Sequence, residues 1–193
     1  MNAEEKILES ALKIFVTKGF TASTGEITQN AGVSTGLLFH YFPTKNDLII
    51  TLYERCLLEN FRAWLNTFLN FDKTDLREFK KLVRIGWEKS VNWGLENWNK
   101  FQYIQLFDGS LIAGQFTFNQ HEEIKKLYQA FQNVSQYASE HHYLKEIPSP
   151  FRIEISRSVI ATTTSFLHKY PEHQQDKYFM ERSWEIYLTA VGG

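Results

Sequence analysis

The chain has 193 residues, of which 43% are hydrophobic, and this supports a core larger than that of one small domain. Its 21 basic and 22 acidic side chains give a net charge of −1, which excludes a broadly basic surface that would bind nucleic acid non-specifically. The single cysteine, Cys56, excludes an internal disulfide and fits a reducing compartment. No signal-like leader opens the chain, and no apolar run approaches the roughly 18 residues of a membrane span. We therefore expect a cytoplasmic protein without membrane contact.

Two helices are predicted at the start of the chain. Asn2 and Glu5 have the spacing of a capping box, as do Ser23 and Glu26. Apolar residues recur at helical spacing after the first box, and Gly19 is a helix stop signal. The second helix is expected over about residues 24–30.

Residues 31–48 have the pattern of a helix-turn-helix. Ala31-Gly32-Val33 forms the turn, because glycine allows the tight reversal. Ser34 is a good N-cap for a helix that runs to about Phe42. Thr44 and Asp47 then form a capping box for the next helix. Two short capped helices at this spacing present one helix outward, as a recognition helix is presented to the major groove of DNA.

These elements resemble the DNA-binding domain of the TetR family of bacterial transcriptional regulators. The matching residues are Gly19-Phe20, Ser23 with Ile27, Ala31 through Phe42, and Lys45 to Leu48. The match covers about a quarter of the chain. The resemblance implies a three-helix DNA-binding domain over residues 1–46 and a larger helical ligand-binding and dimerisation domain over residues 47–193. The fourth helix begins at Lys45 and is expected to be a long helix that joins the two domains.

The resemblance also implies which side chains contact DNA. The exposed positions of the third helix are expected to face base edges: Thr35, Gly36, Leu37, Phe39 and His40. Phosphates would be held by hydroxyls, an ammonium and helix N-termini at Thr24, Ser34, Tyr41 and Lys45. For Tyr41, a core position with only the hydroxyl exposed is the alternative. Leu38 and Phe42 are assigned to the core of the small domain.

The rest of the chain is predicted to be helical, which makes the fold class all-α. The expected helices cover residues 45–70, 75–92, 97–113, 119–144, 149–168 and 174–191. Asn119 with Glu122 has capping-box spacing, and Ser149 is the expected N-cap before Pro150. Cys56 falls on an apolar helix face, so an inert thiol is expected, with a redox sensor as the alternative.

Aromatic residues are concentrated in the larger predicted domain. A wide and mostly apolar ligand cavity is expected there, and its candidate residues are Trp64, Phe68, Trp87, Trp98, Phe101, Tyr103, Phe107 and Phe131. The ligand would be apolar or aromatic, and an acyl chain fits equally well. The alternative is a fully packed core without a cavity.

The last two predicted helices are apolar on more than one side, which favours a symmetric homodimer. The candidate interface residues are Ile155, Val159, Thr162, Phe166, Trp184, Tyr187 and Leu188. The alternative is a monomer in which both apolar stripes are internal.

No sequence motif of an enzyme or of a cofactor site is found, and Glu140-His141-His142 is the one cluster that resembles a metal site. Glycine-rich phosphate loops and nucleophile elbows are missing, and the adjacent residues His141 and His142 point about 100° apart on a helix. We therefore predict no catalytic residues, no metal and no cofactor. The sequence predicts a transcriptional repressor that a small ligand releases from a palindromic DNA operator. A helical carrier of apolar molecules without DNA binding is the alternative, and a helical enzyme is a third possibility.

Overall fold

The computed structural model describes residues 1–69, 76–116 and 122–192, and α-helices account for most of them. The helices are α1 (Ala3–Lys18), α2 (Thr24–Ala31), α3 (Thr35–Tyr41), α4 (Lys45–Leu69), α5 (Leu76–Glu96), α6 (Trp98–Asp108), α7 (Glu122–Glu140), α8 (Ser149–Lys169) and α9 (Lys177–Val191). Short 3-10 turns lie at Gly19–Thr21, Leu111–Gln115 and Pro171–His173. The all-α class is therefore confirmed. Among the described helices, none combines the length and the apolar character that crossing a membrane requires.

The N-terminal capping predictions are confirmed. Asn2 and Glu5 bond each other's backbone N–H groups, both at 2.9 Å, and this reciprocal pair begins α1. Thr44 and Asp47 make the same exchange at the start of α4, where the Asp47 N–H donates to the Thr44 hydroxyl at 3.1 Å. Helix α1 ends at Lys18, and its C-cap Gly19 has a φ of 71°, a positive value that favours glycine.

Several predictions about the later helices are wrong. Helix α5 ends at Glu96 and not at about 92, α6 ends at Asp108 and not at 113, and α7 ends at Glu140 and not at 144. Ser149 is the first residue of α8, so it is not the N-cap; Pro148 occupies that position without a side-chain hydrogen bond. Helix α9 begins at Lys177, later than residue 174, because the Asp176 carboxylate caps it by accepting the N–H groups of Tyr178 and Phe179. The predicted cap at Asn119 lies outside the described residues.

The chain divides into two compact units. The first, here called unit 1, comprises Met1–Glu59 and Asn97–Thr117. The second, unit 2, comprises Asn60–Glu96 and Phe118–Gly193. Unit 1 thus contains the first part of α4 and all of α6 in addition to the three N-terminal helices. The functional division at residues 46 and 47 stays a prediction.

The core of unit 1 joins α6 to the N-terminal helices. Phe15 on α1 is fully buried, and its ring lies 6.1 Å from that of Tyr103 on α6. The Tyr103 hydroxyl donates to the Ile49 carbonyl of α4 at 2.8 Å. Between α1 and α2, the buried Ser10 hydroxyl donates to the Ile27 carbonyl at 2.8 Å. These contacts hold α2 and α3 on a support that continues into α4 and α6.

The core of unit 2 is formed by α5, α8 and α9. Its buried cluster, here called the tryptophan cluster, consists of Trp87, Val91, Leu167, Trp184, Tyr187 and Val191. A surface ion pair adds to it: the Arg84 guanidinium contacts Glu88 on its own helix and Glu181 on α9, with a closest distance of 2.7 Å to Glu181. The α5 helix therefore packs against α8 and is tied to α9.

Candidate nucleic-acid interface

The turn between α2 and α3 has the geometry of a helix-turn-helix. Gly32 adopts φ 67° and ψ 37°, a left-handed conformation that residues with a Cβ rarely adopt. The Val33 N–H then donates to the Thr28 carbonyl at 3.1 Å and closes the C-terminal end of α2. Thr28 is itself buried, and its hydroxyl donates to the Gly25 carbonyl at 3.0 Å. The tight reversal directs the chain into α3.

One side of α3 is anchored in unit 1 and the other side is exposed. Leu38 is fully buried and Phe42 is 3% exposed, as the core assignment from sequence predicted. The residues predicted to face bases are exposed at Thr35, Gly36, Phe39 and His40, and Leu37 is partly buried. Tyr41 is 40% exposed and its ring lies 5.5 Å from that of His40, so Tyr41 is not a core residue. The anchored side fixes the helix while the exposed side presents hydroxyl, imidazole and aromatic groups.

The predicted phosphate-contacting hydroxyls lie at the N-termini of α2 and α3. Ser34 caps α3, and its hydroxyl oxygen accepts the Leu37 N–H at 3.2 Å, which leaves the hydroxyl proton free to donate. Thr24 is the first residue of α2 and is partly buried behind the cap Ser23. A helix N-terminus carries a partial positive charge, so both positions favour an anion such as a phosphate.

Lys45 has a second role that the sequence did not indicate. Its ammonium donates to the Phe20 carbonyl at 2.5 Å, and the side chain is partly buried. The Phe20 ring packs against Phe15 and Tyr103 at centroid distances of 5.4 and 5.8 Å. Lys45 thus connects the start of α4 to the α1–α2 connection.

Charge near α2 is largely neutralised within the protein. Glu26 has a pKa of about 2, lowered chiefly by the hydrogen bond from the Lys18 ammonium and then by the Ser23 N–H and hydroxyl. The Lys18–Glu26 pair therefore stays ionised at neutral pH and adds no net charge. The groups around α2 and α3 that can contact a phosphate thus include hydroxyls, backbone N–H groups and helix N-termini.

The predicted ligand residues do not all belong to one unit. Trp98, Phe101, Tyr103 and Phe107 lie in unit 1, whereas Trp64, Phe68, Trp87 and Phe131 lie in unit 2. Tyr103 and Phe107 are buried in the core beside α1, where the Phe107 ring stacks on that of Tyr53 at 3.8 Å.

The four candidates in unit 2 fall into two groups. The Trp64 ring lies 5.8 Å from that of Phe68 and 5.7 Å from that of Phe131, so these three residues are together. Trp87 instead packs in the tryptophan cluster, 5.8 Å from Trp184. No group of three or more His, Cys, Asp or Glu side chains within the described ranges is arranged to hold a metal ion.

The predicted interface residues also differ in exposure. Trp184 and Tyr187 are 6% and 8% exposed, so both are buried within a single chain. The other candidates are exposed at Thr162 and partly buried at Ile155, Val159, Phe166 and Leu188. The periodicity of α9 did not indicate which apolar stripe faces inward. The outward stripe carries Tyr178 and Ile186, which are 72% and 61% exposed.

The fold and the exposed, anchored α3 are those of a helix-turn-helix protein, and comparison with known proteins agrees. The family model described as bacterial regulatory proteins of the tetR family matches residues 7–52. An uncharacterized HTH-type transcriptional regulator of Bacillus subtilis (strain 168), YuxN, is 30% identical over 109 residues, which are 56% of this chain and 35% of that protein. The match thus spans about a third of the length of that relative.

Solved structures share the fold over the full length. A candidate tetR family regulator from Shewanella sp. PV-4 has a TM-score of 0.83 at 23% identity, with 100% of each chain covered. SmeT, the repressor of a multidrug efflux pump in Stenotrophomonas maltophilia, has a TM-score of 0.62 at 16% identity, with 98% of this chain and 90% of SmeT covered. Residues 7–52 thus match the tetR family of bacterial regulatory proteins, and the whole chain shares the fold of these solved structures.

Proposed function

We propose that the protein is a cytoplasmic homodimer that represses transcription from a palindromic operator, and that a small apolar or aromatic ligand releases it. The observation that carries the DNA part is the arrangement of α3. The buried side chains of Leu38 on α3 and of Phe42 directly after it hold α3 against the rest of unit 1. Thr35, Phe39 and His40 remain exposed for base edges. Hydroxyls of Thr35 and His40 ring nitrogens can form hydrogen bonds, and the Phe39 ring can touch thymine methyl groups.

Phosphate contacts are assigned to the residues around α3. Ser34, Thr24 and Tyr41 have hydroxyls at helix ends or on the exposed surface, and these can donate to phosphate oxygens. Lys45 can reach a phosphate only by sharing or exchanging its bond to the Phe20 carbonyl. Charge therefore contributes less to DNA binding than it does in a basic domain, and we expect the affinity for DNA to depend only weakly on salt concentration.

A dimer is proposed because one three-helix DNA-binding domain covers few base pairs. Two such domains in a dimer bind half-sites about 34–36 Å apart. The outward stripe of α9 supports it, since a shallow groove there is lined by Arg182, Glu185, Ile186, Thr189 and Ala190. Thr162, Val159 and Leu188 can extend the contact from α8 and α9. Trp184 and Tyr187 would support this surface from beneath.

Ligand control is proposed from the aromatic content of unit 2 and from a relative. SmeT forms a complex with triclosan, an apolar aromatic compound, and SmeT is a repressor. In this chain, Phe68 and Phe131 both contact the Trp64 ring, and Trp64 and Phe68 lie on the part of α4 that belongs to unit 2. Because α4 is one continuous helix that begins at Lys45, its displacement can be transmitted to the DNA-binding helices. A coupling of about 1–3 kcal/mol is typical for such switches.

The test is a selection of bound sequences from random double-stranded DNA with the full-length protein, beside a mock selection without protein. We expect an inverted repeat whose half-sites lie about one helical turn apart. Light scattering of the same sample at micromolar concentration should give a dimer mass. If the selection enriches no sequence, DNA recognition is contradicted. Tight ligand binding by the same protein would then favour a carrier. A monomer mass would contradict the dimer.

A further inference from the structure

Within the described part of the chain, two buried side-chain polar atoms have no hydrogen-bond partner: Trp87 Nε1 on α5 and Thr164 Oγ1 on α8. Trp87 is 2% exposed and Thr164 is fully buried. Buried polar groups in proteins are almost always paired, because an unpaired one loses its hydrogen bonds to water without compensation. These two buried groups on one helical unit can therefore each form a further hydrogen bond.

Both atoms belong to the same helix interface. Trp87 is part of the tryptophan cluster, which also contains Leu167 of α8, and Ile160 of α8 packs against that cluster. Thr164 lies four residues after Ile160 and three before Leu167, so it shares their face of α8. The two polar groups thus lie where α5 packs against α8, within apolar surroundings.

Two other polar side chains beside the tryptophan cluster, Tyr187 and Arg84, already have partners. The Tyr187 hydroxyl is 2.8 Å from the Ser156 hydroxyl. The Arg84 guanidinium lies 5.9 Å from the centre of the Trp184 ring, but it pairs with the carboxylates of Glu88 and Glu181. The Arg84 cation beside this cluster is therefore neutralised by two carboxylates.

We propose that Trp87 and Thr164 form the polar end of the effector site and select a neutral ligand that carries an oxygen acceptor, such as a ketone, ester or amide. An indole N–H can only donate, and a threonine hydroxyl can donate, so both fit the two lone pairs of a carbonyl oxygen. A carboxylate would enter this apolar interface without a free cation, and a buried unpaired charge is strongly disfavoured. A hydrocarbon would leave both groups unpaired. This assignment rests on the proposed ligand control.

Because Trp87 and Thr164 are enclosed, ligand binding to them is linked to a movement of the helices that carry them. Because Trp87 and Thr164 are almost inaccessible, a ligand can reach them only when α5 and α8 separate. A ligand that pairs with both groups therefore binds the separated arrangement better, and its binding shifts the population towards that arrangement. The hydrogen bonds determine which ligands bind, and the separation of α5 from α8 would be the first step of the switch.

The test uses three probes of similar size: benzophenone with a neutral carbonyl, diphenylmethane without an acceptor, and diphenylacetate with a carboxylate. Calorimetry with the full-length protein measures their affinities up to their solubility limits. We expect benzophenone to bind about three- to tenfold more tightly than diphenylmethane, and diphenylacetate to bind least. In protein with ¹⁵N-labelled tryptophan, benzophenone should shift the Trp87 indole N–H resonance, identified by its loss in Trp87→Phe, whereas diphenylmethane should not give that hydrogen-bond shift.

Matched variants separate recognition from packing. Trp87→Phe should abolish the preference for benzophenone over diphenylmethane, and Thr164→Val should reduce it. Two control variants match these changes. Trp184→Phe removes an indole N–H from another tryptophan of the tryptophan cluster, and Thr163→Val removes the hydroxyl of the adjacent buried threonine. Both controls should change the affinities for benzophenone and diphenylmethane alike and leave their ratio unchanged.

Three results would overturn the assignment. They are binding of none of the probes, equal affinity for benzophenone and diphenylmethane, or a preference that survives in Trp87→Phe. A change in thermal stability of Trp87→Phe without a change in probe preference would show that Trp87 contributes to packing and not to ligand recognition. Operator binding is measured separately: a protein that binds its palindrome but fails these tests keeps the proposed DNA-binding function and loses only this inference.

Discussion

Lys45 gives the most informative single substitution, because the structure assigns it a contact that competes with its predicted contact to phosphate. Its ammonium bonds the Phe20 carbonyl, and the Phe20 ring packs against Phe15 and Tyr103. Lys45→Ala removes this hydrogen bond, which links α4 to the segment between α1 and α2. The variant should therefore lower the stability of the protein in the absence of DNA, which the loss of a phosphate contact alone would not do.

The magnitude follows from the type and the burial of the bond. A hydrogen bond to a charged group contributes about 1.5–3 kcal/mol, and partial exposure of both partners places Lys45 near or below the lower end, at about 1 kcal/mol. For a protein of this length, a loss of about 1 kcal/mol lowers Tm by about 2–4 °C. If the ammonium also exchanges to a phosphate, the salt dependence of DNA binding should flatten by about one unit of slope.

The assay combines thermal unfolding without DNA with operator binding at several salt concentrations. Lys13→Ala is the matched control, since it removes the same charge from an exposed position of α1. This control should leave Tm nearly unchanged. An unchanged Tm in Lys45→Ala would refute the structural role, and an unchanged salt slope would remove Lys45 from the phosphate contacts. The two results are independent of each other.

Three further predictions concern single groups in unit 1. Tyr103→Phe should lower the free energy of unfolding in urea by about 1 kcal/mol, because it deletes the buried bond to the Ile49 carbonyl; an unchanged midpoint would contradict this. Glu26, with its pKa lowered from 4.5 to about 2, stabilises the fold above pH 4.5 and loses that contribution as the pH falls towards 2. Glu26→Gln should therefore be less stable than wild type at pH 7. If the same difference in stability persisted at pH 2, the stabilising role of the ionised Glu26 would be disproved. Burial raises the pKa of Cys56 to about 12, so iodoacetamide at pH 8 should modify it only on unfolding, and rapid native labelling would argue against an inert thiol.

Local features of the fold could be predicted from the sequence. The caps at Asn2, Ser23, Ser34 and Thr44 are confirmed, because a cap depends on side-chain and backbone groups within three residues. The left-handed turn at Gly32 is equally local. These signals placed α3 and its two buried anchors correctly without any knowledge of the rest of the chain.

Long-range packing could not be predicted in the same way. Helical periodicity predicts that a face is buried but not what covers it. Tyr103 and Phe107 were therefore assigned to a ligand cavity, although they pack on α1 and α4 in unit 1. Trp184 was assigned to the dimer interface for the same reason, and it is buried inside unit 2. Nothing in the sequence indicated that the Thr164 hydroxyl is unpaired, because its separation from water depends on how α8 packs in unit 2.

The claim that α3 reads base edges is tested most directly by the affinity of a Thr35→Ala/His40→Ala double variant for the selected operator and for random DNA of equal length. Both side chains are exposed, so the fold should not change. A base contact discriminates by about 1–3 kcal/mol, so operator affinity should fall at least tenfold while affinity for random DNA stays the same. Gln132→Ala, at an exposed position on α7, should change neither affinity. Equal operator affinity in the double variant and the wild type would contradict the account.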